Sequence, residues 1–549
     1  MRTIYTNGTV YTGELPLCQA FVQEDGRFLY AGGTEEAMTY RTAETRVVDL
    51  DKRFVCPGFN DSHMHLVNFG YSLQAADLGR HTSSLAEVQE ELRHFHRANP
   101  DPAGGWLRGR GWNQDYFTDV KRFPNRYDLD QVSRDVPICI ARACGHACVV
   151  NSRALEITGV TGSTPQPEGG RFEVDENGQP LGIFRENAMD LVYNFIPAPD
   201  RGGIKEMILA ACAALNRYGV TSSQSDDFLA FPNVPWEETL EAYRELEQEG
   251  KLTVRVNEQS QFSSLEELKR FIGAGYNTGW GDSWFRIGPL KMLGDGSLGS
   301  RTAYLSRPYA DDPGTRGIPI YTRDQFREMI GYAHEHNMQA AIHAIGDGIL
   351  DDVLAVYREV LERCPRGDHR HGVVHCQITR PDQLEAFREL GLHAYVQSIF
   401  LDYDIHIVRQ RVGEELAKSS YNFKTLMDYG VRVSNGSDCP VEQPDVMAGI
   451  QCAVTRKTLR DHLGPYLPDQ AMTVQEALDS FTGAGAYASF EEEHKGRICP
   501  GMLADFVVLE KNPFETPVEE IAGIAVLAAF VDGKCVYRRE NRENRENRS

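Results

Sequence analysis

Pro57-Gly58-Phe59-Asn60-Asp61-Ser62-His63-Met64-His65-Leu66 is the stretch on which the reading turns: an apolar run, Phe54 to Phe59, leads into two histidines one residue apart. Extended backbone alternates its side chains, so His63 and His65 leave the chain on one side. The pattern His-x-His is weak alone, because the chain's 16 histidines supply four such pairs: His63/His65, His94/His96, His334/His336 and His369/His371. Two of these, His94/His96 and His334/His336, fall in helical stretches, where residues two apart face different ways, and they read as exposed polar positions. His369/His371 lie in the polar loop Arg366-Gly367-Asp368-His369-Arg370-His371 just before a strand, and read as surface residues.

Outward from the first pair, apolar strand candidates alternate with amphipathic helical stretches such as Ile204 to Tyr218, Trp236 to Glu249, Thr322 to His336 and Pro381 to Leu390. The strands are Phe54 to Phe59, Val220 to Gln224, Thr253 to Val256, Phe285 to Leu293, Gln339 to Ile345, Gly372 to Cys376, His393 to Ile399 and Val431 to Asn435. Eight βα units predict an α/β fold built on a (β/α)₈ TIM-like barrel, residues 57–495, with its active site at the strand C-termini. His369/His371 then sit at the wrong end for it. A long separation between the first two strands predicts an insertion, about residues 78–200, as a cap over the barrel mouth; Pro137 to Ala143 and Gly169 to Val174 are its strand-like runs. Residues 1–56 and 496–538 read as short strands and turns, too few at either end for a sheet, and are expected to combine into one flanking β-sandwich. The Arg-Glu-Asn repeat of residues 539–549 predicts a disordered tail.

Four later strands each end in a candidate ligand. Lys291 stands in Ile287-Gly288-Pro289-Leu290-Lys291-Met292-Leu293, where an unpaired ammonium is costly to bury. It reads either as a paired lysine, with Asp295 the nearby partner, or as a neutral amine that takes up CO₂ and becomes a bridging carbamate. His343, His375 and Asp438 follow on strands five, six and eight. Imidazoles and carboxylate oxygens together suit one or two Zn²⁺ or similar divalent ions.

Composition bounds the rest. A chain of 549 residues, 41% hydrophobic and 25% charged, is long enough for a large domain and a smaller one. A net charge of −22 argues against nucleic acid and anionic membrane as partners. The first residues lack a secretory pattern and no apolar run is long enough to span a bilayer, so a cytoplasmic location is expected, with the 12 cysteines reduced.

The set resembles the amidohydrolase superfamily, in the amidohydrolase family 3 branch that includes N-substituted formamide deformylases. It is carried by residues 57–65, by Lys291-Met292-Leu293-Gly294-Asp295-Gly296-Ser297-Leu298-Gly299-Ser300-Arg301-Thr302-Ala303, by His343-Ala344-Ile345-Gly346-Asp347, by His375 and by Gly436-Ser437-Asp438; Gly496 to Phe506 is similar to the family's return into the sandwich. The resemblance implies that His63 and His65 hold one metal and His343 and His375 a second, with carboxylated Lys291 bridging and Asp438 on the first. It implies hydrolysis of an amide-type C–N bond in a small molecule by a metal-activated hydroxide, with Asp438 as general base and then acid. A single-metal version is the alternative if Lys291 stays an ammonium.

Softer candidates complete the reading. His146, in Cys144-Gly145-His146-Ala147-Cys148, is similar to a family position in the cap and implied to face the substrate and its oxyanion; a packed histidine is the plain alternative. Arg301 and the group Trp106, Trp112, Tyr116 and Phe117 are read as pocket lining or as core. Hydrolysis of esters or organophosphates, deamination, and non-catalytic metal or ligand binding are the rival functions; the sequence does not read out an oligomeric state, and a homodimer is one assembly open to a large acidic barrel.

Overall fold

Eight parallel strands pair in chain order: β1 (Phe59–Met64), β2 (Val220–Ser225), β3 (Arg255–Gln261), β4 (Phe285–Leu293), β5 (Ala340–Ala344), β6 (Gly372–His375), β7 (His393–Val396) and β8 (Val433–Asn435). This is a computed structural model, and it describes residues 1–540 apart from 80, 82, 101, 143–146, 168–169 and 232. Beyond β8 the Asp438 N–H donates to His63 O at 2.8 Å, which ties the last strand to the first in a nearly closed barrel. Sequence accounts for the alternation. β4, FRIGPLKML, is a nearly continuous apolar run, as a strand covered on both faces requires. The helix Arg323–Glu335 starts at a reciprocal cap between Thr322 and Gln325, and Pro381–Leu390 starts on proline and ends at Gly391 in the left-handed region.

The expected first strand is misplaced by one structural step. Phe54–Pro57 belongs to a different sheet, where it pairs antiparallel with Phe506–Leu509; the barrel strand begins after Gly58. A Cβ at Gly58 would lie 2.1 Å from Thr221 Oγ1, so only glycine passes there. Both segments are buried and apolar, and hydropathy alone has no means of dividing them. The same flanking sheet carries Thr9–Val10, Val526–Val531 and Lys534–Arg538, mixing strands from both ends of the chain. A second sheet, ordered Arg27–Gly32, Ala20–Glu24, Thr3–Thr6, Arg46–Asp49, shares its core. Tyr5 stacks on Phe21 with centroids 4.6 Å apart, Phe506 on Phe530 at 4.3 Å, and Phe21 meets Phe506 edge-on at 5.0 Å. Arg255, at the start of β3 and 1% exposed, joins barrel to flanking strands through Asp505, at 2.7 and 3.0 Å, and Asp532.

Val67–Ala210 with Phe231–Ala242 form a second compact unit, wider than the insertion expected at about 78–200. Its six-stranded sheet runs Gly170–Val174, Pro180–Glu186, Ala147–Val150, Ile138–Arg142, Leu107–Trp112, Ala76–Asp77. Alternation feeds two cores. Ile138, Ile140, Val149 and Ile183 enter one, while Cys139, Cys148, Val150 and Phe184 enter the other.

Three histidines read as surface residues are buried. His334 Nδ1 lies 2.8 Å from His371 Nε2, the His371 N–H donates to His369 Nδ1 at 3.0 Å, and Tyr357 stacks on the His371 ring. Helix and loop sites that looked polar are covered where they pack against the barrel, so type alone misjudged them. His94 is exposed as expected. The tail expected from 539 lies, from 541 on, outside the described residues. Among the described residues no helix is long and apolar enough to cross a membrane.

Candidate metal centre

The barrel brings the sequence-predicted ligands to the C-terminal ends of its strands. His63 is the penultimate residue of β1 and His65 lies just beyond it; Lys291, His343 and His375 are at or near the ends of β4, β5 and β6, and Asp438 follows β8. Close approach of β8 to β1 depends on Gly436, where a Cβ would stand 2.5 Å from His63 N. Asp61 locks the junction, accepting from Ser437 N–H at 3.0 Å, from the Ser437 hydroxyl and from His63 N–H at 3.3 Å. Two of the positions hold left-handed backbone, His375 with φ 80° and Asp438 with φ 57°. Such conformations cost about 1–3 kcal/mol each and persist where packing over-determines them.

One ligand atom from each of His63, His65 and Asp438 lies within 4.8 Å of the others. Asp438 Oδ1 stands 3.1 Å from His65 Nε2 and 3.4 Å from His63 Nε2. His375 meets His63 edge-on with centroids 5.6 Å apart and His343 at 4.4 Å, so four imidazoles run in sequence along the rim.

Carbonyl oxygens fix the rings. His63 Nδ1 lies 2.6 Å from Gln259 Oε1, His375 Nδ1 2.7 Å from Gln397 Oε1, and His65 Nδ1 3.3 Å from the Asp226 carbonyl. An amide or carbonyl oxygen only accepts, so each Nδ1 carries the proton; neutral His63 and His375 then keep the Nε2 lone pair, the state a metal ligand needs, while His65 Nε2 donates to Asp438 Oδ1. His343 is turned the other way: Nε2 faces Gly296 O and Asp295 Oδ1, both at 3.2 Å, leaving Nδ1 free. His63 Nε2 is buried without a hydrogen-bond partner, an orphaned lone pair that a cation would satisfy. The donor set of imidazoles and one carboxylate therefore fits a divalent ion of the zinc type.

Electrostatics follow from burial. Burial, then the Lys291 charge, pushes the His63 pKa well down, and burial with His343 does the same to His375. Burial opposes the Asp438 carboxylate, but the His65 hydrogen bond and the surrounding imidazoles outweigh it and hold the carboxyl well below its usual range.

Lys291 is fully buried, and its partner is Asp226 Oδ2 at 3.1 Å rather than Asp295. Asp295 instead accepts from the backbone N–H of Tyr304, Ile345 and Gly346 and backs His343. Trp112 is a core residue: fully buried in the second unit, its indole N–H donates to Ile140 O at 3.3 Å, and it has no face for a ligand. Trp106 and Phe117 are likewise buried in that unit, whereas Tyr116 is exposed. Arg301 has its guanidinium on Asp311, at 2.8 and 3.1 Å, so it does not stand free as a pocket residue. His146 lies outside the described residues. Sequence reasoning missed Asp226, Gln259, Gln397 and Asp61. Their signal was polarity inside strands, as in Arg255-Val256-Asn257-Glu258-Gln259-Ser260-Gln261, a run too polar for a barrel core without a polar task.

Comparison with known proteins agrees with this geometry. The amidohydrolase family model matches residues 46–537. The putative amidohydrolase YtcJ of Bacillus subtilis is 30% identical over 547 residues, covering 98% of this chain and 100% of its own. The N-substituted formamide deformylase of Arthrobacter pascens is 26% identical over 531 residues, 95% of each chain. An uncharacterized metal-dependent hydrolase from Pyrococcus horikoshii OT3 superposes with a TM-score of 0.78 at 30% identity, covering 94% of this chain and 99% of that one. With the family model spanning residues 46–537 and a relative 30% identical over nearly the whole chain, this chain belongs to the amidohydrolase family.

Proposed function

We propose that the chain is a metal-dependent hydrolase that cuts an amide-type C–N bond in a small molecule. One observation carries the reading: His63, His65 and Asp438 bring ligand atoms within 4.8 Å of one another, with the His63 Nε2 buried and without a hydrogen-bond partner. These three hold one divalent cation, with zinc the best match to the donors; His343 and His375 hold a second when Lys291 is a carbamate. Bound there, a divalent ion supplies Lewis-acid polarisation of a carbonyl and acidifies water.

The chain's own groups do the remaining work. Asp438 stays ionised at neutral pH, so it accepts a proton from water on one side and returns it to the departing nitrogen on the other. Gln259, Gln397 and the Asp226 carbonyl keep the imidazoles in one tautomer throughout, so the rim does not reorganise as charge develops. The Lys291–Asp226 ion pair favours a second version, in which Lys291 remains an ammonium and a single ion is held by His63, His65 and Asp438.

Screening formamides, N-acyl compounds, cyclic amides, carbamates, esters and aminated rings with metal-loaded protein tests the reaction class. Turnover of amides that is lost in Asp438→Asn supports the proposal. Turnover confined to esters or ring amines, or undiminished in Asp438→Asn, overturns it.

A further inference from the structure

The second unit buries a positive charge that no described residue neutralises. Arg108, on the strand Leu107–Trp112, is 6% exposed. Its guanidinium carbon lies 3.6 Å from the Tyr71 ring centroid, and Nη2 makes one long hydrogen bond, 3.4 Å, to Gln74 Oε1. Nε and Nη1 are buried without a partner. Burial lowers its pKa only to about 10, so the group remains a cation at neutral pH. Of the other buried arginines among the described residues, Arg255 has two carboxylates and Arg370 has Asp368 and Glu492, while Arg456 donates to the backbone carbonyls of Tyr466 and Tyr421 at 2.9 and 3.1 Å. Leaving one unpaired is costly, and packing alone gives no reason to keep it.

Arg108 also lines a cavity of about 520 Å³, the size of a small-molecule site. The opposite walls are the segment 196–200 and the first turns of the helix Arg201–Arg217, so the positive end of that helix faces the same space. Two acids stand in the walls. Asp200 is engaged at the helix start, where Oδ1 accepts from Gly203 N–H at 2.8 Å, and Glu206 is exposed.

We propose that this cavity binds a small monocarboxylate, an organic acid whose carboxylate pairs with the Arg108 guanidinium that lines it. Its apolar body packs on Tyr71, Ile196, Pro197 and Met207, which supply the cavity's hydrophobic surface. The carboxylates of Asp200 and Glu206 oppose any anion in the cavity, and oppose a dianion such as phosphate more strongly than a monocarboxylate. The site is assigned from the second unit alone and stands or falls independently of the hydrolase reading.

The test titrates the full-length protein with benzoate and, in a separate arm, with inorganic phosphate, following heat and melting temperature. Benzoate saturates wild type, phosphate neither binds in the cavity nor displaces it, and Arg108→Gln weakens benzoate about 10-fold or more. Because carboxylates also ligate metals, 4-iodobenzoate soaked into crystals locates the bound acid, and its anomalous peak is expected beside Arg108. No peak there, or equal benzoate affinity in wild type and a folded Arg108→Gln, overturns the site. Phosphate displacing benzoate from the cavity overturns the monocarboxylate class. If Arg108→Gln does not fold, the iodine position in wild-type crystals decides alone.

Discussion

Replacing Gln259 by leucine removes the support of His63 while leaving every proposed ligand in place. Gln259 spans β3 and β1: its Nε2 donates to Ser62 O at 3.1 Å, which turns Oε1 toward His63 Nδ1 at 2.6 Å. Leucine fills a similar volume but leaves a buried imidazole N–H and a buried carbonyl unpaired. Each orphaned group costs about 1–3 kcal/mol. Loss of a partner to a metal-bound histidine typically lowers metal affinity about 10–100-fold, which is the same range of free energy. Competition for Zn²⁺ against a chromophoric chelator measures it, and Gln259→Leu is expected to fall within that range. Gln259→Glu keeps an acceptor for His63 while losing the donor to Ser62, so it should retain more affinity than leucine. Zinc affinity unchanged in Gln259→Leu would refute the claim that the tautomer is fixed from this side chain.

Further outcomes follow from other parts of the fold. Arg255→Met strands the Asp505 carboxylate, 6% exposed, and should destabilise the protein by about 3–5 kcal/mol in urea unfolding. Burial lowers the His369 pKa to about 4, so below its unfolded value of about 6.5 the unfolded chain binds a proton that the folded one refuses. Stability is therefore full above that pH and declines as pH falls toward 4; the drop in melting temperature should be smaller in His369→Gln. Lys291→Ala should abolish turnover, and a short carboxylic acid should restore part of it if the lysine acts as a carbamate. Full activity without supplement would remove Lys291 from the mechanism.

The sequence displayed the barrel because parallel strands covered on both faces read as apolar runs separated by amphipathic helices, and β4 and β6 are plain examples. It displayed the ligands because they fall at strand ends in the order the fold demands. Boundaries were less legible. Phe54–Pro57 and Phe59–Met64 are equally buried, and the division between two sheets lies in one glycine and its clearance from Thr221. The partners of the ligands were invisible for another reason: Gln259 and Gln397 act through long-range contacts between strands, and no local pattern marks a glutamine that faces a histidine far away in the chain. Trp112 illustrates the reverse error, since a tryptophan suited to a pocket wall is equally suited to a core, and only its neighbours decide.

Metal analysis of the purified protein, joined to an anomalous diffraction map at the metal edge, addresses the central claim most directly. The expected result is at least one equivalent of a divalent metal, with a peak bounded by His63 Nε2, His65 Nε2 and Asp438, and a second beside His343 and His375 if Lys291 is carboxylated. A protein that turns over amides with no metal bound, or a peak located away from His63 and His65, would contradict the account.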